Sequence, residues 1–117
     1  MVLSENSGSS IVWVVEQGTF DYSPARVFGD DIRVLTADKL TPNAPNASWH
    51  DKAIQQLRRE LADYIPGRDF IIPTGRPVRM MLVAMILREK GDRHNLLGWD
   101  DKTQRYFLYE LNLTNRG

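Results

Sequence analysis

Residues 69–90, DFIIPTGRPVRMMLVAMILREK, predict a short buried strand, a tight turn and an apolar helix. The apolar run Phe70–Ile72 has strong strand preference. Gly75 allows a positive φ in the turn, and Pro77 suits the first helical turn, where its missing N–H costs nothing. Gly91 predicts a left-handed cap at the helix end. We therefore predict that this unit lies at the centre of the fold.

The predicted helix is apolar on every side, because residues 80–87 are apolar without interruption and cover more than two turns. Such a helix is buried on more than one face. It is too short to span a bilayer, which needs roughly 20 apolar residues. One side would pack on a sheet, and the other needs either a second element of the monomer or a second subunit. The subunit alternative predicts an interface at Met80, Met81, Val83, Ala84 and Leu87.

Composition excludes several classes of protein. The chain has 117 residues, enough for one domain with its own core. Its formal net charge is zero, so we expect no membrane association and no general attraction to nucleic acid. Cysteine is absent, which excludes disulfides and thiolate chemistry. The N-terminus lacks the basic and then apolar segments of a secretory signal.

Strands and helices alternate along the rest of the chain. The other predicted elements are strands at 11–15 and 32–35, an amphipathic helix at 48–65 capped by Ser48, and a final hairpin of strands at 96–99 and 105–113. This alternation predicts a parallel sheet with right-handed crossovers. The expected fold class is α/β, a small Rossmann-like three-layer sandwich whose mostly parallel sheet ends in an antiparallel hairpin.

The predicted domain organisation is simple. Residues 1–10 form a polar, disordered N-terminal lead, residues 11–113 a single α/β domain, and residues 114–117 a polar tail. Residues 36–47, rich in proline and asparagine, form a long loop.

Two segments resemble a known group of proteins. They are FDYSPARVFGDDIRVLT, from Phe20, and DFIIPTGRPVRMMLVAMILREKGDRHNLLGWDDKTQRYFLYEL, from Asp69. The chain from Ile11 onward resembles small α/β proteins encoded by tailed bacteriophages, and residues 21–25 with Gly29 are the most specific part of the likeness. The resemblance implies a phage origin and a location in the virion or the host cytoplasm. It implies no catalytic residues, because no activity is established for those proteins.

A ligand site is expected beyond the carboxyl ends of the strands, where ligands bind in open α/β sheets. A turn followed by a helix N-terminus suits a phosphate or carboxylate. The candidate ligand-binding residues are Thr74, Gly75, Arg76 and Arg79 in this turn, with Asp21, Tyr22 and Ser23 from the earlier loop. The alternative is an ordinary strand–helix turn with solvated arginines, because Pro77 removes one donor and no P-loop or GxGxxG spacing is present.

No residue pattern identifies an enzyme, and we predict no catalytic residues, no cofactor and no metal site. Asp21 with Asp30 and Asp31 is interpreted as a helix cap and a solvated turn rather than as a magnesium site. His50 and His94 have no visible acid–base partner and are interpreted as surface or hydrogen-bonded histidines.

The aromatic residues Tyr106, Phe107 and Tyr109 follow Arg105, an arrangement that could stack nucleic-acid bases. Alternation along a strand would separate Tyr106 from the other two, and the chain has no net positive charge. Packing in the core is therefore the preferred interpretation.

Two functions remain open. The first is a non-enzymatic phage-type interaction protein, either a virion or tail accessory subunit or a factor that binds a host protein, with self-association through the apolar helix. The second is a Rossmann-like binder of a nucleotide-like or other anionic small molecule at the carboxyl ends of the strands. The second rests partly on the fold, which by itself is weak evidence for function.

Overall fold

The computed structural model describes residues 9–37 and 50–114. Most of the predicted N-terminal lead, most of the 36–47 loop, the predicted cap at Ser48 and most of the polar tail lie outside these ranges.

The described residues form one mixed sheet with helices between its strands. In chain order the elements are β1 (Ile11–Val14), a 3₁₀ helix (Ser23–Val27), β2 (Asp31–Val34), α1 (Asp51–Glu60) with a 3₁₀ turn (Leu61–Asp63), β3 (Phe70–Ile72), α2 (Pro77–Lys90), β4 (Arg93–Asp100) and β5 (Arg105–Asn112). The strand order is β2-β1-β3-β4-β5. The first four strands are parallel, and β5 is antiparallel to β4. The predicted α/β class, with a mostly parallel sheet ending in an antiparallel hairpin, is confirmed.

The central strand β1 alternates between two cores, which explains why it is apolar throughout. Ile11 and Trp13 face the core beneath α1 and α2, whereas Val12 and Val14 face the core beneath the 3₁₀ helix. The crossover from β1 to β2 runs in the opposite direction to the later crossovers and uses the opposite face of the sheet. Because this crossover differs from the later ones in both direction and face, all of the crossovers have the same handedness. Connections between parallel strands are almost always right-handed.

The third layer of the predicted sandwich is thin. Both α-helices cover one face of the sheet, and on the other face the described cover is the 3₁₀ helix with Tyr22, Ala25 and Phe28. This short helix shares its core with side chains of all five strands, among them Val12, Ile72 and Tyr106, and it lies close to β5. A concave surface lies beside it and is lined in part by the hairpin of β4 and β5.

Strand β4 is longer than the predicted 96–99 segment, because its polar start at Arg93, His94 and Asn95 also pairs with β5. Buried partners satisfy two of these side chains. The Asn95 amide donates to the carbonyls of Gly67 and Asp69, each at 3.2 Å. At the preceding helix end, Gly91 has extended backbone (φ 166°) instead of the predicted left-handed conformation.

Candidate functional site

The turn between β3 and α2 holds a carboxylate of the chain itself. The Thr74 hydroxyl donates to the Glu16 carbonyl at 2.7 Å, and the Arg76 N–H donates to Glu16 Oε1 at 3.1 Å. Gly75 has φ +102°, and a Cβ there would lie 2.3 Å from the same Oε1 atom. Glu16 thus lies at the N-terminus of α2, where the sequence predicts an external anion. A bound anion would have to displace Glu16 or be repelled by it.

Arg79, the second arginine predicted to bind an anion, is buried and points into the fold. Its guanidinium donates to the carbonyls of Val15 at 2.9 Å, Ala37 at 2.7 Å and Leu35 at 3.2 Å. These carbonyls follow the carboxyl ends of β1 and β2, so Arg79 joins both strand ends to α2. Arg76 is exposed.

A cavity of about 630 Å³ lies beyond the carboxyl ends of β3 and β4, beside the 3₁₀ helix. Three segments form it: the loop before the 3₁₀ helix, the end of β3, and the hairpin of β4 and β5. Its described lining is Thr19, Phe20, Asp21, Tyr22, Pro24, Ile72, Pro73, Thr74, Leu97, Gly98, Trp99, Asp101, Gln104 and Tyr106. Asp21, Tyr22 and Thr74 were expected near a ligand, whereas Arg76 and Arg79 are not among these lining residues.

Aromatic side chains give the cavity fixed walls. The rings of Trp99 and Tyr106 pack edge to face, with their centroids 4.9 Å apart. The Trp99 indole N–H donates to Asp101 Oδ1 at 2.8 Å, which fixes the orientation of the indole. On the opposite wall, the Tyr22 hydroxyl accepts a hydrogen bond from the Gly18 N–H at 2.9 Å.

The polar groups of the cavity make it acidic. Asp21 and Asp101 line it, and the described lining contains no lysine, arginine or histidine. The backbone N–H of Ser23 donates to Asp21 Oδ1 at 2.9 Å, and this hydrogen bond lowers the pKa of Asp21 below its ordinary value. Asp21 is therefore charged at neutral pH. Ser23 begins the 3₁₀ helix and is not among the lining residues.

The predicted interface residues on α2 are divided between core and surface. Val83 and Leu87 are buried under the helix, and Met80 packs against the same core. Met81, 62% exposed, and Ala84 lie on the outer side. Within the described residues nothing covers that side of α2, and cover by a second subunit stays a prediction. The same side exposes Val78 and Met85 as well.

Strand β5 forms one edge of the sheet and carries apolar side chains on both faces, with Glu110 as a charged residue on the face of Leu108. Phe107 (46% exposed), Tyr109 (55%) and Leu111 (37%) lie on the α2 side, and Leu108 lies on the other side. Of the aromatic group expected in the core, only Tyr106 is buried there.

Along β5 the backbone N–H and C=O groups of successive residues point alternately toward β4 and toward the open edge. The Leu113 N–H donates to the Asp92 carbonyl at 2.8 Å, in the same register as the strand pairing. Because bonded and non-bonded pairs alternate in antiparallel strands, the odd-numbered residues bond to β4. The N–H and C=O groups of Tyr106, Leu108 and Glu110 consequently point away from β4, toward the open edge.

The opposite edge of the sheet is protected. Strand β2 has four residues, of which Asp31 and Arg33 are charged and form an ion pair at 2.9 Å. Short length and charge prevent unwanted pairing at a sheet edge. Strand β5 has eight residues, no proline, and charged side chains at Arg105 and Glu110, so its longer edge is less protected than that of β2.

The described residues place no acid–base or metal group in a catalytic arrangement. His94 is buried, with Nδ1 2.6 Å from the Tyr64 hydroxyl and Nε2 2.8 Å from the Gly91 carbonyl oxygen. Burial raises the pKa of Tyr64 well above its usual range, so its hydroxyl stays protonated. In residues 9–37 and 50–114, no group of three or more histidine, aspartate or glutamate side chains could hold a metal ion.

Sequence reasoning missed Glu16, Trp99, Asp101 and Gln104. The only local signal was an aromatic residue followed by two aspartates at the hairpin turn. The roles of these residues depend on contacts between the first and last parts of the chain, and periodicity does not reveal such contacts.

One of three comparisons with known proteins identifies a family for the chain. None of the described helices is long and apolar enough to span a membrane. No curated protein and no solved structure matches the chain. Residues 11–113 match the family model described as Phage Pam3 gp32-like protein. This match covers nearly the whole chain and the complete sheet, so the chain belongs to the Phage Pam3 gp32-like protein family.

Proposed function

We propose that this phage-associated protein is a non-enzymatic interaction protein that self-associates by pairing the β5 strands of two copies. The observation that supports this proposal most is the open edge of β5, with its apolar side chains and outward backbone groups. Long, unprotected, apolar edges are templates for pairing with another strand. Family membership associates the protein with the virion or the infected host cell, and a dimer would serve a virion subunit or a host-binding factor equally.

The sequence of β5 favours pairing of its open edge with β5 of a second copy. Antiparallel pairing about Leu108 brings Tyr106 opposite Glu110 of the second copy, so the outward backbone groups of both strands meet. The same register brings Phe107 opposite Tyr109 of the second copy. Aromatic pairs directly across two strands each contribute roughly 0.2–1 kcal/mol. The pairing would join two sheets into one and cover the apolar β5 side chains on both faces.

In this proposal the exposed outer side of α2 forms a second contact surface beside the β5 edge. The Arg58–Glu89 ion pair joins α1 to one flank of α2. By helical periodicity Met80 and Ala84 lie on the opposite flank, toward β4 and β5. Apolar side chains of α2 and β5 therefore lie on the same face of the sheet, and a partner paired with β5 would extend toward α2.

Native mass spectrometry of the purified protein tests the proposal. We expect a dimer for the wild type and a folded monomer for Tyr109→Lys, because each lysine would lie opposite Phe107 of the other copy and bring a charge into the paired edges. Met81→Lys is the matched control, since Met81 is equally exposed and apolar but lies on α2. It should remain dimeric. A wild-type monomer, or dissociation caused by Met81→Lys and not by Tyr109→Lys, would overturn pairing through β5.

One observation favours the second candidate function, a small-molecule binder. The cavity lies at the carboxyl ends of the strands, where Rossmann-like folds bind ligands. Its acidic lining and the occupation of the α2 N-terminus by Glu16 argue against a nucleotide-like or other anionic ligand. We therefore prefer the interaction function and treat the cavity separately.

A further inference from the structure

We propose that the cavity beside the 3₁₀ helix binds a small organic cation, an ammonium group attached to a compact apolar frame. This inference does not rest on self-association, because it is argued from the lining of the cavity alone, of which Tyr106 belongs to β5.

The shape and the floor of the cavity fit the apolar frame of such a ligand. Its volume of about 630 Å³ is within the range of roughly 300–1,000 Å³ found for small-molecule sites. Ile72 and Leu97 are buried members of the core that form its floor. A compact hydrocarbon frame would be removed from water there, and the side chains of Ile72 and Leu97 carry no polar group that the ligand could leave unpaired.

The walls fit the cationic end. Trp99 and Tyr106 present aromatic rings whose mutual orientation is fixed by edge-to-face packing. A cation above such a ring gains about 0.5–2 kcal/mol, the larger values where water is excluded. The hydrogen bond from the indole to Asp101 fixes the tryptophan and directs a carboxylate toward the same space.

The charges of the lining select a cation over an anion. Asp21 and Asp101 are the acidic side chains of the described lining, which contains no basic side chain. The charge of Arg26 acts on Asp21, but Arg26 does not line the cavity. Two carboxylates beside an apolar concave surface create a negative potential, which attracts cations and repels anions.

Three probes with nearly the same frame and different charge test the proposal: phenethylamine, 2-phenylethanol and 3-phenylpropanoate. Binding is followed by NMR at low ionic strength through the indole N–H of Trp99, assigned with Trp99→Phe. We expect saturable binding of the amine at millimolar concentrations, as is usual for ligands of about nine heavy atoms. The alcohol should bind at least about tenfold more weakly, and the carboxylate should not bind.

Neutral variants separate charge from shape. Asp101→Asn keeps an oxygen acceptor for the Trp99 indole, and Asp21→Asn keeps one for Ser23, so each removes a charge with little structural change. Each should weaken amine binding about fivefold and leave alcohol binding unchanged. Asp63→Asn is the matched control, because Asp63 is exposed, pairs with Arg33 and does not line the cavity. It should leave amine binding unchanged.

Several outcomes would overturn the cation site. These are equal binding of amine and alcohol, tighter binding of the carboxylate, no saturable shift with any probe, or an equal loss of affinity in Asp63→Asn. None of them would affect self-association, which is measured by mass in the absence of ligand.

Discussion

The carboxylate of Asp69 accepts a hydrogen bond of 3.1 Å from the indole N–H of Trp13, and both side chains are buried. The same carboxylate accepts bonds from the N–H groups of Ile11 at 3.1 Å and Ile65 at 3.0 Å, and it pairs with the Arg68 guanidinium at 2.7 Å. Asp69 thus joins the start of β1 to the segment that connects α1 with β3. It fixes the amino ends of the central strands, as Arg79 fixes the carboxyl ends.

Replacing Asp69 with asparagine should destabilise the protein strongly. Asparagine cannot accept all of these bonds, and it leaves the partly buried Arg68 without its counter-charge. Removing one partner of a buried charge pair costs about 3–5 kcal/mol, which should appear as a lower free energy of unfolding in urea. Asp63→Asn removes an exposed carboxylate and should change that free energy by less than about 0.5 kcal/mol. Similar losses in the two variants would contradict this account of Asp69.

Asp69 should also make the free energy of unfolding depend on pH. Burial by itself would raise its pKa, but the Arg68 guanidinium and the donated hydrogen bonds outweigh burial and lower that pKa below 3.8. Between the two values the unfolded chain binds more protons than the folded one, so the free energy of unfolding rises with pH. The contribution is complete above the ordinary pKa and is lost as pH falls through the folded value. Urea unfolding from about pH 5 downward should therefore show a steeper loss in the wild type than in Asp69→Asn. Parallel curves would exclude a lowered pKa.

Arg79 should be a structural residue. Arg79→Met leaves the carbonyls of Val15, Leu35 and Ala37 without these donors in a buried position. A lower free energy of unfolding, by about 2–4 kcal/mol, is expected. Arg76→Met is the matched control one helical turn earlier, at an exposed position, and it should cost less than about 0.5 kcal/mol. A fully stable Arg79→Met protein would mean that the guanidinium is available for another role.

Gln104 offers a stabilising substitution. It has a positive φ of 56° at the end of the β4–β5 turn, a conformation that costs a residue with a side chain roughly 1–2 kcal/mol. Gln104→Gly removes that cost, loses the bond from Gln104 Nε2 to the Asp101 carbonyl, and gives the unfolded chain more freedom. We expect a net gain of about 0.5 kcal/mol in thermal or urea unfolding without ligand. A loss of stability would show that the Gln104 side chain matters more than its backbone conformation.

Local signals predicted much of the central unit, and distant contacts explain what they missed. Phe70–Ile72, the turn at Gly75 and the start of α2 at Pro77 were predicted correctly, because each depends on the conformational preferences of neighbouring residues. The role of Arg79 was not predictable in this way. Its acceptors at Val15, Leu35 and Ala37 come close only when β1 and β2 pair.

The site shows the same limit. The carboxyl ends of the strands were predicted as the place for a ligand, and the cavity does lie there. Its acidic character was not predicted, because Asp21 and Asp101 come from opposite ends of the chain. The anion expected at Thr74–Arg76 was inferred from the turn, its arginines and the helix N-terminus, all of them local features. The approach of Glu16 depends on the pairing of β1 with β3.

The central claim is that β5 pairs with β5 of a second copy, and hydrogen exchange of its backbone amides, followed by NMR, tests it most directly. In a monomer the odd-numbered amides of β5, among them Phe107, Tyr109 and Leu111, are hydrogen-bonded to β4. In the paired dimer the amides of Leu108 and Glu110 should also be protected in the wild type, and they should lose this protection in Tyr109→Lys. The account would be contradicted if, in the wild type, the amides of Leu108 and Glu110 exchanged rapidly while those of Phe107, Tyr109 and Leu111 stayed protected.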